Sequence, residues 1–345
     1  MVKVKRDGNV IPGILVALVI AAVAVFLENL MPIPLIGASV IALFIGMIIN
    51  HFVQPPEVLV PGLKFTSKKL LKFAIILLGA SLSIGTILQV GKMSLTVMCF
   101  TLLTCFGGGH FIGKALGLNW KMSNLISAGT GICGGSAIAA ISPAIDADDT
   151  DIAFAMSATF IFDMAMILLF PILGRAMGLS DIAYGLWAGT AVNDTSSVVA
   201  AGYAFSEAAG DFATMVKLTR SISIIPTVLI FALIQANIKR KEARAMGDNS
   251  EITANFKLSS VFPWFILGFV ALAIINSIGF IPASFASHSK SLSQFLMVSA
   301  LGAIGLNTSF KEMRKSGIAP MLHGFIVSAL VVIVAITVEY FMGIV

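Results

Sequence analysis

Charged side chains are scarce in this chain. Asp, Glu, Lys and Arg make up 11% of its 345 residues, where a soluble domain carries roughly a quarter. With 58% hydrophobic residues and a mean hydropathy of +0.99, the composition excludes an ordinary soluble globular protein. Cysteine is nearly absent: Cys99, Cys105 and Cys133 are odd in number and sit inside apolar runs, which argues against a disulfide framework or a thiolate metal site. There is no low-complexity tract or linker, and the longest polar connection, 239–257, is too short for a domain. No Ser-His-Asp, paired-carboxylate or phosphate-loop constellation occurs, so the chain reads as a non-enzyme without a cofactor. The net charge of +5 has no soluble basic surface behind it, which excludes nucleic acid as a partner.

What fills the sequence instead is a series of apolar windows of about 20 residues, the length that crosses a bilayer as a helix. The expected spans are 10–28, 34–52, 70–89, 93–114, 121–145, 150–173, 181–206, 212–237, 259–280, 291–310 and 317–343. The whole chain, 1–345, reads as one transmembrane domain: an all-α integral membrane protein of about eleven helices, with lipid as its main partner. Strands would alternate over short runs, and a lipid-exposed backbone must satisfy its polar groups within its own segment.

Lysine and arginine test that partition, because they are enriched in cytoplasmic loops. One side receives eighteen: Lys3, Lys5, Arg6, Lys64, Lys68, Lys69, Lys72, Lys114, Lys121, Arg175, Lys239, Arg240, Lys241, Arg244, Lys257, Lys311, Arg314 and Lys315. The other receives two, Lys92 and Lys290. This predicts a multi-pass protein of the cell membrane, in bacteria the inner membrane, with a cytoplasmic N-terminus and an external C-terminus. The first apolar run ends in Glu28-Asn29 without a small-residue cleavage pattern, so it reads as a retained span rather than a signal peptide.

A weak internal repeat carries more information. Ala128 to Ser136, AGTGICGGS, matches Ala188 to Ser196, AGTAVNDTS, at an offset of 60 residues, and Leu78-Gly79-Ala80 echoes Leu301-Gly302-Ala303. Each glycine inside a helix costs about 1 kcal/mol, so the cluster Gly129 to Gly135 predicts an interruption near the membrane centre, with close helix packing through small residues as the alternative. Thr130, Cys133, Gly134, Gly135 and Ser136 in the first copy, and Asn193, Asp194, Thr195 and Ser196 in the second, form the candidate substrate-binding set. Segments 121–145 and 181–206 fit either broken spans or re-entrant hairpins, and Arg175 favours broken spans.

Ionisable residues inside spans are functional candidates by default. Asp194 lies in the second interruption, where it either helps bind an ion or substrate or caps the half-helix that follows. Arg220, about 12 Å into its span by helix rise, is expected to face the same cavity and attract an anion, or to form a buried ion pair with Asp194 or Asp163. Lys217 is expected to snorkel towards the interface. Asp163 reads as a proton carrier or an ion-pair partner. Asp194 and Asp163 are thus the ion-coupling candidates, for H+ or for Na+ near Asn193 and Asp194; no other metal is expected. His110, His323 and Glu339 read as peripheral or packing residues.

The stretch GTGICGGSAIAAISP from Gly129, AGTAVNDTSSVVAAGYAFS from Ala188, KLTR from Lys217 and LGAIGLNTSF from Leu301 resembles the YeiH-type sulfate exporter family over nearly the whole chain. It departs from that family's pattern at Asn193, where members carry His, and at Thr195-Ser196-Ser197. The resemblance implies sulfate or sulfonate export, and a distant likeness to the superfamily of cation:proton antiporters and anion transporters. That likeness in turn implies a dimerisation domain, hence a homodimer, and a core with two unwound crossing helices that moves like an elevator. The second crossing would fall at Asn193-Asp194 or at Leu301 to Asn307. The combined reading is a secondary transporter of a small anion such as sulfate, a sulfonate or an organic acid, coupled to H+ or Na+. Its rivals are a membrane subunit of an ion-pumping decarboxylase and a channel.

Overall fold

The computed structural model describes residues 9–30, 38–245, 264–308 and 318–345. Lys3, Lys5, Arg6, Lys257, Lys311, Arg314 and Lys315 lie outside them, as do the first residues of the expected spans 34–52, 259–280 and 317–343 and the last of 291–310. The described residues are predominantly helical, with no strand among them. In chain order the helices are α1 (Ile11–Leu30), α2 (Ala38–Phe52), α3 (60–79, with a π turn at Thr66–Leu70), α4 (Ile84–Ala115, with a π turn at Thr104–Gly108), α5 (Trp120–Ala128) and α6 (Gly135–Ile141). There follow α7 (Asp149–Ala176), α8 (Asp181–Ala191), α9 (Thr195–Phe205), α10 (Glu207–Ile222), α11 (Ile224–Ala245), α12 (Trp264–Ser277), α13 (Ala283–Asn307) and α14 (Ile318–Phe341). Among the described residues, five stretches are long and apolar enough to cross a membrane: Ile11–Leu30, Ile84–Ala115, Thr150–Ala176, Glu207–Ile238 and Ile318–Phe341. Phe26, Phe52, Leu103 and Phe111 are exposed, as expected of side chains that meet lipid.

Local chemistry sets the ends. Ser83, Asn119, Ser180 and Ser206 each accept a hydrogen bond from the backbone N–H three residues on, the usual start of a helix. The expected span 70–89 therefore runs across a boundary: α3 stops at Gly79, and α4 begins after the Ser83 cap. Gly117 and Gly178, with φ of +69° and +66°, close α4 and α7, and each is followed two residues later by the cap of the next helix. The unit of long helix, glycine stop, polar cap and interrupted segment thus occurs twice, and it is the structural form of the sequence echo.

The helices sort into two bodies. Helix α13 packs on α2, α3 and α1, and α12 packs on α3. Backbones approach closely in this scaffold: a Cβ at Gly46 would strike the backbone of Gly302 and Leu306 in α13. The second body holds α5 to α11 and α14, with α4 packed against α10 and α14. Helix α13 runs unbroken through Leu301 to Asn307, so the interruption that pairs with the glycine-rich cluster is the one at Asn193-Asp194.

Candidate functional site

Both interrupted segments are re-entrant hairpins. In the first, α5 continues through a π turn (Gly129–Cys133), turns at Gly134 with φ +64° and ψ −137°, and returns as α6. Its two ends meet: Lys121 Nζ donates to Asp146 O at 2.6 Å, and Asn119 Nδ2 to Asp151 Oδ1, near the start of α7, at 3.0 Å. In the second, α8 and α9 flank Val192 to Asp194, and again the ends meet. Ser206 Oγ donates to Asp181 Oδ1 at 2.5 Å, Tyr184 Oη to Ala201 O at 2.9 Å, and Arg175 Nη2, near the end of α7, to Ala204 O at 2.8 Å. Helix α7 is 28 residues long, about 42 Å at helical rise, so the hairpins enter from opposite ends of the bundle. Arg175 then sits with Lys92 and Lys290, which makes the basic-residue tally seventeen against three. Its side chain caps carbonyls at the second hairpin's open end, a local role that the sequence tally reads as a topology signal.

The tips touch. A Cβ at Gly134 would lie 2.8 Å from both Cβ and Oδ1 of Asp194, so only glycine admits this approach, and its φ independently demands glycine. Gly134 and Asp194 are equivalent positions of the 60-residue echo, which places a pseudo-twofold relation between the tips.

Arg220 follows the same symmetry. Its guanidinium donates to Thr130 O and Gly131 O of the first hairpin and to Thr190 O and Val192 O of the second. Thr130 and Thr190 are again an equivalent pair. These carbonyls end the first arms α5 and α8, where each helix dipole presents about −0.5 of a charge. One guanidinium offsets both. Arg220 is 1% exposed and joins the two tips through their carbonyls, where the sequence reading offered either a cavity-facing anion ligand or a buried ion pair with Asp194 or Asp163. Lys217 does not snorkel: it is fully buried and its Nζ donates to Val192 O at 2.9 Å.

The carboxylates mirror this arrangement on the other ends of the dipoles. Asp163 Oδ1 accepts from Asn193 N at 2.9 Å, and its Oδ2 from Asp194 N at 3.1 Å. No Lys or Arg nitrogen lies within ion-pair distance of Asp163 among the described residues. Asp194 caps α9, its Oδ2 accepting from Ser196 N at 2.9 Å and from Ser196 Oγ. The centre therefore gathers two acidic side chains, Asp163 and Asp194, and two basic ones, Lys217 and Arg220.

Burial divides the predicted site residues. Thr130, Cys133, Gly134, Asn193, Ser196 and Arg220 are buried. Gly135, Asp194 and Thr195 are partly open and Ser136 is exposed, so these four form the accessible face of the tips, at the first turns of α6 and α9. Ser136 Oγ bonds back to Cys133 O at 2.8 Å. A cavity of about 280 Å³, lined by Glu28, Tyr203, Glu207 and Gln294, opens elsewhere, near the second hairpin's open end and beside the ion pair of Lys290 with Asp211 at 2.8 Å.

Helix α14 supplies residues the sequence reading did not select. Ser328 reaches both hairpins, 3.4 Å from Thr130 Oγ1 and 3.4 Å from Asn193 Nδ2. His323 Nε2 lies 2.9 Å from Gly109 O and 3.2 Å from Ser123 Oγ, tying α4, α5 and α14 together. Glu339 is fully buried, and neither of its carboxyl oxygens has a hydrogen-bond partner among the described residues, so it is not peripheral. Ser328, the one serine of the last span, was the available signal there.

Residues 12–324 match the family model described as conserved hypothetical protein 698. A UPF0324 membrane protein of Clostridium tetani is 56% identical over 334 residues, covering 96% of this chain and 97% of that protein. One from Streptococcus mutans is 38% identical over 340 residues, with 96% and 97% covered, and one from Streptococcus pyogenes serotype M3, SpyM3_0740, is 38% identical over 342 residues, with 97% and 98% covered. With a match of this extent joined to an all-helical fold with apolar spans, the chain belongs to the conserved hypothetical protein 698 family, the YeiH-type UPF0324 membrane proteins.

Proposed function

We propose that the protein is a secondary transporter of a small anion, such as sulfate, a sulfonate or an organic acid, working by alternating access. The observation that carries this reading is the tip-to-tip meeting of two hairpins that enter from opposite ends of the bundle. Each hairpin separates the centre from one face, so small movements of either body open one path at a time. Non-helical backbone at membrane depth is tolerated where it is buried in protein or lines a water-filled cavity, and the partly open Gly135, Ser136, Asp194 and Thr195 provide such a lining. The anion preference rests on the two basic side chains held at the tips, Arg220 and Lys217, and on the first turn of α6, which no side chain caps, whereas Asp194 caps that of α9. Coupling to Na+ or H+ supplies the drive, through Asp194, Asp163 or the oxygens beside them. The basic-residue asymmetry supports a cytoplasmic N-terminus and an external C-terminus.

The test is counterflow in proteoliposomes of purified protein, with labelled sulfate, sulfonates and carboxylates under imposed sodium or pH gradients. Saturable, gradient-driven exchange of at least one anion is expected. Flux that never saturates would point to a channel, and no flux of any anion in the panel would refute the carrier reading.

A further inference from the structure

Three buried oxygen-bearing side chains meet where the first hairpin, the second hairpin and α14 converge: Thr130 in the π turn, Asn193 at the second tip, and Ser328. Their exposures are 0%, 0% and 1%. Ser328 Oγ is 3.4 Å from Thr130 Oγ1 and 3.4 Å from the Asn193 amide, too long for strong hydrogen bonds. Asn193 Oδ1 has no partner among the described residues. An unpartnered buried polar atom costs about 1–3 kcal/mol, so a group absent from the protein chain is called for. One turn before Thr130, Ser127 Oγ is likewise buried without a partner.

We infer that these side chains bind a sodium ion. Oxygens about 2.4 Å from a hard cation lie about 3.4 Å from each other when they are adjacent ligands, which is the spacing seen around Ser328. The amide of Asn193 presents O or N to Ser328 by a half-turn about χ2, so Oδ1 can take the position that Nδ2 holds. All three ligands are neutral, which suits a singly charged ion better than calcium or magnesium, whose sites carry carboxylates. Asp163, bonded to the backbone of Asn193, places a carboxyl group one layer behind.

The inference rests on the anion-carrier reading for its purpose. Acidic and basic side chains are equal in number at the tips, Asp163 and Asp194 against Lys217 and Arg220, so an arriving anion brings negative charge with no surplus basic side chain to meet it. Sodium between the same two hairpins offsets the charge of that anion and draws Thr130 and Asn193 together, so each ion favours binding of the other.

The experiment is thermal denaturation of the purified protein in choline chloride, with NaCl or KCl substituted at constant ionic strength and no other anion added. Sodium is expected to raise the midpoint saturably and potassium is not. Ser328→Ala and Thr130→Val should each weaken the sodium dependence at least about tenfold, with Thr130→Ser retaining it. If a variant does not fold, the sodium and potassium comparison on the unmodified protein decides. No sodium-specific shift, or an unchanged sodium dependence in Ser328→Ala, overturns the site and leaves these oxygens to a water molecule. A sodium shift without anion flux upholds the site and removes the carrier reading. Sodium-independent flux without a shift removes the site and keeps the carrier.

Discussion

Arg220 brings a full positive charge to the middle of an apolar bundle and gives it to four carbonyls on two hairpins. Its removal should therefore first be felt as instability. Arg220→Gln leaves several buried acceptors unpaired at about 1–3 kcal/mol each, and is expected to lower the denaturation midpoint far more than Asp194→Asn, measured by scanning fluorimetry in detergent. A normal midpoint with anion binding abolished would return Arg220 to the ligand role. Gly134 makes a second test. Gly134→Ala adds a Cβ 2.8 Å from Asp194 at φ +64°, a strain of about 1–3 kcal/mol, and should leave a folded protein whose transport falls at least about tenfold. Wild-type transport in that variant would show that the tips need not touch. The unusual placement of these residues was legible in the sequence, because a glycine cluster and a deep arginine are both costly at membrane depth. The direction in which Arg220 points was not, since depth along a helix says nothing about which carbonyls another segment brings to it.

The hairpins raise the same question for whole segments. The 25 residues of 121–145 measure about 37 Å as a helix, enough to cross once or to enter halfway and return, and hydropathy is the same for both. The charge that favoured crossing was Arg175, but a basic residue in the last turn of a helix is favoured by the dipole and by carbonyl capping whichever side it is on. The repeated glycine stop and polar cap, Gly117 with Asn119 and Gly178 with Ser180, marks the two inverted units better than the basic residues do. Impermeant maleimide labelling of single cysteines in a cysteine-free background separates the alternatives. Lys121→Cys and Ala147→Cys should label from one face, and Asp181→Cys and Glu207→Cys from the other. Labelling of Lys121→Cys and Ala147→Cys from opposite faces would restore the broken-span topology.

For the molecule as a whole, the two bodies have different tasks. The scaffold of α1, α2, α3, α12 and α13 is joined by small-residue packing, while the body that carries the hairpins gathers the buried charges at its centre. Links between the bodies include the ion pair of Lys290 with the buried Asp211, which also accepts from Tyr203 Oη. The division was implied by family resemblance and not by hydropathy, which treats every apolar helix alike. Alternating access through the hairpin tips is the central claim, and Ser136, exposed beside the Gly134–Asp194 contact, reports on it. The measurement is modification of Ser136→Cys by an impermeant thiol reagent, in a cysteine-free background, from each face of oriented vesicles with and without sulfate or the anion found to be transported. The account predicts modification from both faces, slowed by the anion. Modification from a single face, at a rate indifferent to every transported anion, would contradict it.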